Sequence, residues 1–253
     1  MGNEGFPSVF SQQSDAGEPK LVSQQNISVI IPALNEEESI GYVVASMPWS
    51  SIAECIVVDN GSSDGTAEVA AAAGARVVTS PRGYGAACKA GLEASVAGSN
   101  ILVFMDGDGS DVIADLPCLV TPIEAGEADF VIGSRLRGHR EPGSMLPSQI
   151  FAGRLVAVLL RLLHGVRYTD MGPFRAIRRS SLAQLGMSEM TYGWNLEMQV
   201  KAAKQHLRIQ EIAVDYQCRK GGVSKVSGNF LASLKTGIRI LAVLFRTSHS
   251  DHT

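Results

Sequence analysis

A chain of 253 residues, 45% of them hydrophobic and 19% charged, is long enough to bury a full core without needing a second globular unit. Lys and Arg number 22 against 25 acidic residues, a net charge of -3, so nothing in the balance suggests general affinity for nucleic acid or anionic lipid and any basic binding site must be local. Cys55, Cys88, Cys118 and Cys218 lie far apart with no paired spacing, which argues against a zinc site and a disulfide framework and points to a cytoplasmic home.

Residues 1–25 are rich in Ser, Gln and Gly without the basic-then-apolar order of a signal peptide, so a flexible tail is expected there. A β-branched run at 27–31 reads as a strand stopped by Pro32, and the acidic segment 35–38 opens a helix. The apolar run 55–58 is a second strand, ended by the Asp, Gly and Ser cluster at 59–66 and followed by an Ala-rich helix at 67–73. Residues 75–78, 101–105 and 130–132 supply three more strands, with helical spacing over 84–97 and 112–124. Apolar strands alternating with helices imply a mostly parallel α/β sheet covered on both faces. Farther on come a long loop at 134–147, an apolar helix at 150–163, a strand-like stretch at 207–216 and a helical stretch at 230–246. The 150–163 run carries Arg154 and Arg161 and is too short to cross a bilayer easily, so no transmembrane span is expected.

Asp106-Gly107-Asp108 follows the run ending at Met105, which delivers two carboxylates to a strand end. A Gly between them lets the backbone turn so that both acids converge on one divalent cation, and oxygen ligands of this kind suit Mg²⁺ or Mn²⁺ with phosphate oxygens at the remaining positions. An ordinary solvated turn uses the same residue types. Ligands of such sheets sit beyond the carboxyl ends of strands, so Pro32 to Glu36, Asp59 and Asp106 to Asp108 are expected at one rim.

Taken in order, Ile30-Ile31-Pro32-Ala33-Leu34-Asn35-Glu36-Glu37, the segment from Val57 through Asp59-Asn60-Gly61-Ser62-Ser63-Asp64-Gly65-Thr66, and Asp106-Gly107-Asp108 resemble the family-2 inverting glycosyltransferases, in particular the dolichyl-phosphate mannose synthase and polyprenyl-phosphate hexosyltransferase branch. Gly133-Ser134-Arg135, Arg82-Gly83-Tyr84-Gly85, and Arg219 with Ser224 and Lys225 support the likeness, which spans about residues 27–228. The resemblance implies a Rossmann-like nucleotide-diphospho-sugar transferase fold of the A type. It implies a catalytic domain over 26–228 and a C-terminal amphipathic helix and tail over 229–253. Pro32, Ala33, Glu36 and Asp59 then hold base and ribose, Asp106, Gly107 and Asp108 hold metal and diphosphate, and Arg82, Arg135, Arg219 and Lys225 contact the donor. Where mannose synthases often place Gln, this chain has Ser110, with Asp111 as a substitute of unknown direction. The segment 170–175 resembles the acceptor-side element; Trp194 reads equally as a core residue, and Glu197 either orients arginines or caps its helix.

The expected donor is a UDP- or GDP-hexose and the acceptor a polyprenyl phosphate, whose oxygen needs no strong base. A small hydroxyl acceptor requires one, and Asp170 is the candidate. Phe230, Leu234, Ile238, Leu241 and Phe245 recur at helical spacing beside Lys235, Arg239 and Arg246, which suits a peripheral membrane helix, packing on the domain, or a homo-oligomer contact. The basic loop of Arg135, Arg137, His139 and Arg140 is a second place for an acceptor phosphate. A sugar-nucleotide pyrophosphorylase shares such a sheet but carries a basic Gly-rich loop where this chain has Pro32 to Glu36; a non-catalytic nucleotide-sugar-binding protein is the other alternative.

Overall fold

The computed structural model describes residues 26–221 and Thr247. The expected tail, Ser224, Lys225 and the expected helix over 230–246 lie outside the described residues.

Strands β1 (Ile27–Ala33), β2 (Glu54–Asp59), β3 (Arg76–Thr79), β4 (Ile101–Phe104), β5 (Phe130–Ser134), β6 (Arg175–Arg178) and β7 (Ile209–Ala213) form one sheet in the order β3-β2-β1-β4-β6-β5-β7. Side chains alternate across β1: Val29, Ile31 and Ala33 enter one core and Ile30 the other, so both faces need a helical cover. The helices in chain order are α1 (Glu37–Ala45), α2 (Thr66–Ala72), α3 (Tyr84–Ala94), α4 (Leu116–Glu124, entered through a 3₁₀ turn at Ile113–Asp115), α5 (Pro147–His164), α6 (Arg179–Leu185) and α7 (Trp194–Lys204). Residues of α1, α2 and α4 fill the first core, and those of α3, α5, α6 and α7 the second. Trp194 belongs to that second core, 1% exposed and tilted against Phe104 at 6.4 Å between ring centroids.

The expected parallel sheet is present in the β1–β2, β1–β4, β2–β3 and β5–β7 pairings, but β6 runs antiparallel between β4 and β5. The sequence reading has no strand there. β6 is four residues long and bounded by arginines, a type that patterns assign to the surface. Arg175 is nevertheless fully buried, donating to the carbonyls of Gly172 and Asn195 and lying over the Phe130 ring at 5.8 Å. Burial lowers its pKa to about 10.

Helix α3 approaches the sheet through Gly91, where a Cβ would lie 2.4 Å from Ile30 Cγ2 and 3.0 Å from Val58 Cγ2. Gly91→Ala is therefore expected to destabilise the domain by about 2 kcal/mol through overpacking, despite the better helix propensity of Ala. Thermal unfolding checks this, with a Tm lowered by several degrees.

Candidate functional site

Parallel pairing brings the carboxyl ends of β1, β2 and β4 to one rim, with Ala33 opposite Asp59 and Ile30 opposite Phe104. Because β1 has β2 on one side and β4 on the other, the strand order reverses here and opens a crevice. The loops after β1 and β2 are laced together. Asn35, at φ 51°, donates its N–H to Ser62 Oγ (3.0 Å) and accepts from Ser63 N (2.8 Å), while Glu36 N donates to Thr66 Oγ1 (2.8 Å). Asp59 Oδ1 accepts from Ser62 N at 2.9 Å, and Asn60 N donates to Ala33 O at 2.9 Å.

The two glycines near the acidic pair divide the work differently from expectation. Gly107 is needed for packing: a Cβ there would sit 3.1 Å from Ile40 Cδ1 and 3.2 Å from Ile31 Cγ2, and its carbonyl accepts Ser39 Oγ at 3.0 Å. The turn itself uses Gly109, at φ 75°. Ser110 donates N–H (2.9 Å) and Oγ to Asp108 Oδ1, so it orients that carboxylate. Asp108 Oδ2 accepts Arg219 Nη2 at 3.0 Å, and the same nitrogen reaches Glu36 Oε1 at 3.3 Å. Arg219 Nε and Nη1 are buried without a partner among the described residues.

Burial, followed by the charges of Asp108 and Asp111, raises the Asp106 carboxyl well above the ordinary range, with Arg135 opposing. Asp111 is pushed up to about 7, chiefly by burial and further by Asp108, against the bond that Asp106 N donates to its Oδ2 at 3.1 Å. Among the described residues its buried Oδ1 has no partner, and no basic side chain bonds the Asp106 carboxylate. No ready-made cage of three or more His, Cys, Asp or Glu ligands occurs among the described residues. A deficit of positive charge beside two aspartates fits Mg²⁺ or Mn²⁺, which take one or two carboxylates and complete their shell with phosphate oxygens and water.

On the far side of Asp111, Asp170 is 3% exposed and holds Arg135 in a two-point pair, Nε to Oδ2 at 2.7 Å and Nη2 to Oδ1 at 2.8 Å. The backbone N–H groups of Arg135 (3.0 Å) and Met171 (2.7 Å) add two more bonds. Burial alone would raise the Asp170 carboxyl; the Arg135 bonds and charge outweigh it and hold the pKa below the ordinary value. The sequence candidate for a general base is thus a fully engaged carboxylate that anchors Arg135.

Arg82 is exposed and reaches Gly61 O at 3.1 Å, on the β2 side of the crevice. The α3 N-terminus behind it is closed by backbone, since Gly85 N and Ala86 N donate to Thr191 O (3.2 Å) and Met190 O (3.0 Å). Among the described residues Glu197 pairs with no arginine; it accepts from Ser188 and Glu189 N and pairs with Lys201 at 2.9 Å, fixing that same segment. Of the basic loop, Arg137 bonds Glu211 O and His139 N bonds Asp215 Oδ1 at 3.0 Å. Sequence reasoning missed Tyr216, whose ring lies under Arg135 at 5.0 Å and whose backbone bridges to Asp111, because it is one aromatic in a plain strand-like run. It also missed Ser39 and Thr66, which only the fold brings to the crevice.

The raised Asp111 value makes a signed prediction. The native state holds the Asp111 proton up to about pH 7, whereas the unfolded chain releases it near 3.8, so in metal-free protein stability falls as pH rises between these values. Asp111→Asn, which keeps an acceptor for Asp106 N, is expected to raise Tm over the parent by several degrees at pH 7.5 with chelator and to lose that advantage near pH 4.

Residues 28–186 match the family described as glycosyl transferase family 2. An uncharacterized glycosyltransferase of Mycobacterium bovis is 41% identical over 210 residues, covering 82% of this chain and 93% of that protein. The polyprenol monophosphomannose synthase of Mycolicibacterium smegmatis is 32% identical over 223 residues, covering 81% of this chain and 82% of that protein. The crystal structure of glucosyl-3-phosphoglycerate synthase from Mycobacterium tuberculosis with phosphoglyceric acid has a TM-score of 0.70 at 25% identity, covering 90% of this chain and 82% of that one. The A-type nucleotide-diphospho-sugar transferase fold expected from the motifs is the fold observed. From the family match, the named relatives and the shared fold together, the chain belongs to glycosyl transferase family 2 and is a glycosyltransferase.

Proposed function

We propose that the chain moves a hexose with inversion from a UDP- or GDP-sugar to a polyprenyl phosphate on the cytoplasmic side of a membrane, with Mg²⁺ or Mn²⁺ as cofactor. Pro32, Ala33, Glu36 and Asp59 receive base and ribose at the β1–β2 rim, where Ala33 and Asp59 are cross-strand neighbours. Asp106 and Asp108 hold the metal, which when bound supplies Lewis-acid stabilisation of the leaving diphosphate. The observation that carries the donor side is Arg219. One of its nitrogens is fixed by Asp108 and Glu36, and two buried N–H-bearing nitrogens have no partner among the described residues, a geometry suited to phosphate oxygens. Lys225 is assigned to the same phosphates by family likeness, and Arg82 to the outer edge of the nucleotide.

The engagement of the two candidate bases among the described residues supports an acceptor that needs none. Asp170 has both oxygens engaged by Arg135, and Asp111, though its pKa suits a base, is 4% exposed with one oxygen on the Asp106 backbone. An acceptor that arrives as an anion needs no proton removed, and Arg135 beside the crevice supplies the charge to receive it. The names of two relatives, the polyprenol monophosphomannose synthase at 32% identity and the undecaprenyl-phosphate mannosyltransferase of Micrococcus luteus at 31%, support this choice.

Three measurements test the reading. Arg219→Met is expected to weaken UDP or GDP binding in the presence of Mn²⁺ by roughly 10- to 100-fold, the worth of charge-assisted hydrogen bonds, as titration calorimetry reads it. Nucleoside diphosphate release from UDP- and GDP-hexoses, with polyprenyl phosphate or small hydroxyl acceptors, separates the alternatives: the lipid phosphate alone should stimulate release, and a pure binder releases none. Asp170→Asn is expected to lower kcat at every pH. A pH-rate limb that disappears in this variant would instead make Asp170 a base and favour a hydroxyl acceptor.

A further inference from the structure

We propose that α5 is the element that seats this enzyme on an anionic bilayer surface, a reading that rests on the lipid-phosphate acceptor and adds how it is reached. Phe151, Leu155, Val158 and Leu162 recur along one side of the helix, and Phe151 is 70% and Leu162 76% exposed. At 3.6 residues per turn these four fall within an arc of roughly 60°. Val156 and Leu160 lie on the opposite side and are buried in the second core, so the exposed stripe is surplus to the core. Arg154 and Arg161 run beside the stripe along one flank.

Charge decides what covers it. Between Glu141 and Asp170 the chain has no acidic residue, while Arg154, Arg161 and Arg167 are present. A second copy packed on this face would bring two acid-free basic helices together. The C-terminal run 222–250 carries Lys225, Lys235, Arg239 and Arg246 and no acid either, so it is equally ill matched to α5. An anionic lipid surface complements both, with apolar side chains entering the acyl boundary and arginines at the headgroups. No helix among the described residues is long and apolar enough to cross a membrane, which leaves α5 lying along the interface.

Position joins the surface to the chemistry. The excursion carrying α5 leaves the sheet just after Arg135 and returns at Thr169 and Asp170, where Ser134 Oγ and Thr169 Oγ1 meet at 2.6 Å and Arg135 pairs with Asp170. A helix so rooted, once on a bilayer, places Arg135 close to lipid headgroups, where a membrane-borne phosphate can reach it.

The test is co-sedimentation of the full chain with phosphatidylglycerol/phosphatidylcholine vesicles and with phosphatidylcholine alone, without donor or acceptor. The parent should prefer the anionic vesicles. The triple variant Phe151→Asp, Val158→Asp, Leu162→Asp should lose affinity about a hundredfold or more. The double variant Arg154→Gln, Arg161→Gln should lose about fivefold per arginine and most of the anionic preference. Both variants should keep the parental Tm and oligomeric state. A triple variant that sediments like the parent, or a parent that ignores anionic vesicles, overturns the proposal. A variant whose Tm collapses or whose parental oligomer dissociates also overturns it, by showing that the chain itself or a second copy covers the stripe. Docking through α5 without transfer to polyprenyl phosphate would sink the acceptor reading and leave the surface standing; transfer in detergent by a triple variant that no longer sediments upholds both.

Discussion

Three carboxylates, Asp106, Asp108 and Asp111, are gathered within six residues at the end of β4, and their mutual repulsion in a partly buried site is the constraint around which the rest is arranged. Arg219 answers part of it by holding Asp108 and Glu36, and Arg135 opposes it from the far side of Asp111. The remainder suits a divalent cation that brings phosphate oxygens with it.

The segment that follows β7 makes this arrangement possible. Val214 to Lys220 is clamped from both sides: Tyr216 N bonds His139 O and Glu141 N bonds Tyr216 O, each at 2.9 Å, while Gln217 N and Lys220 N bond Ser110 O and Asp108 O at 2.9 Å. Gly138 permits the contact, since a Cβ there would lie 2.0 Å from Val214 O. Arg219 therefore reaches the acidic rim as part of a backbone-bonded strap joined to the same loop that carries Arg135. Arg219 and Arg135 are thus mechanically connected, and on the proposed function a nucleotide engaging the first is positioned to steady the second.

The acceptor side follows a different logic. Asp170 and Arg135 neutralise each other almost completely, which removes a base and leaves an oriented guanidinium stacked on Tyr216. Such a group recognises an anion without altering its protonation. The excursion between these two residues contains the apolar, acid-free α5, so in the proposed function the phosphate and the surface that bears it are met by one stretch of chain.

The strands and most helices of the first half were legible in the sequence because their burial is two-sided and their turns are marked by Pro, Gly and Asp; the acidic motif after β4 was legible because strand ends fix where side chains emerge. β6 was not, since its burial depends on a guanidinium satisfied by distant carbonyls that no local pattern reveals. Nor could spacing tell that Gly107 serves packing and Gly109 the turn, or that Asp170 is consumed by Arg135, 35 positions away. Residue types and order determined which chemistry this chain can host; only the tertiary structure decided which charges face one another, because pairing across the sheet, and not proximity in sequence, sets the distances on which electrostatics depends.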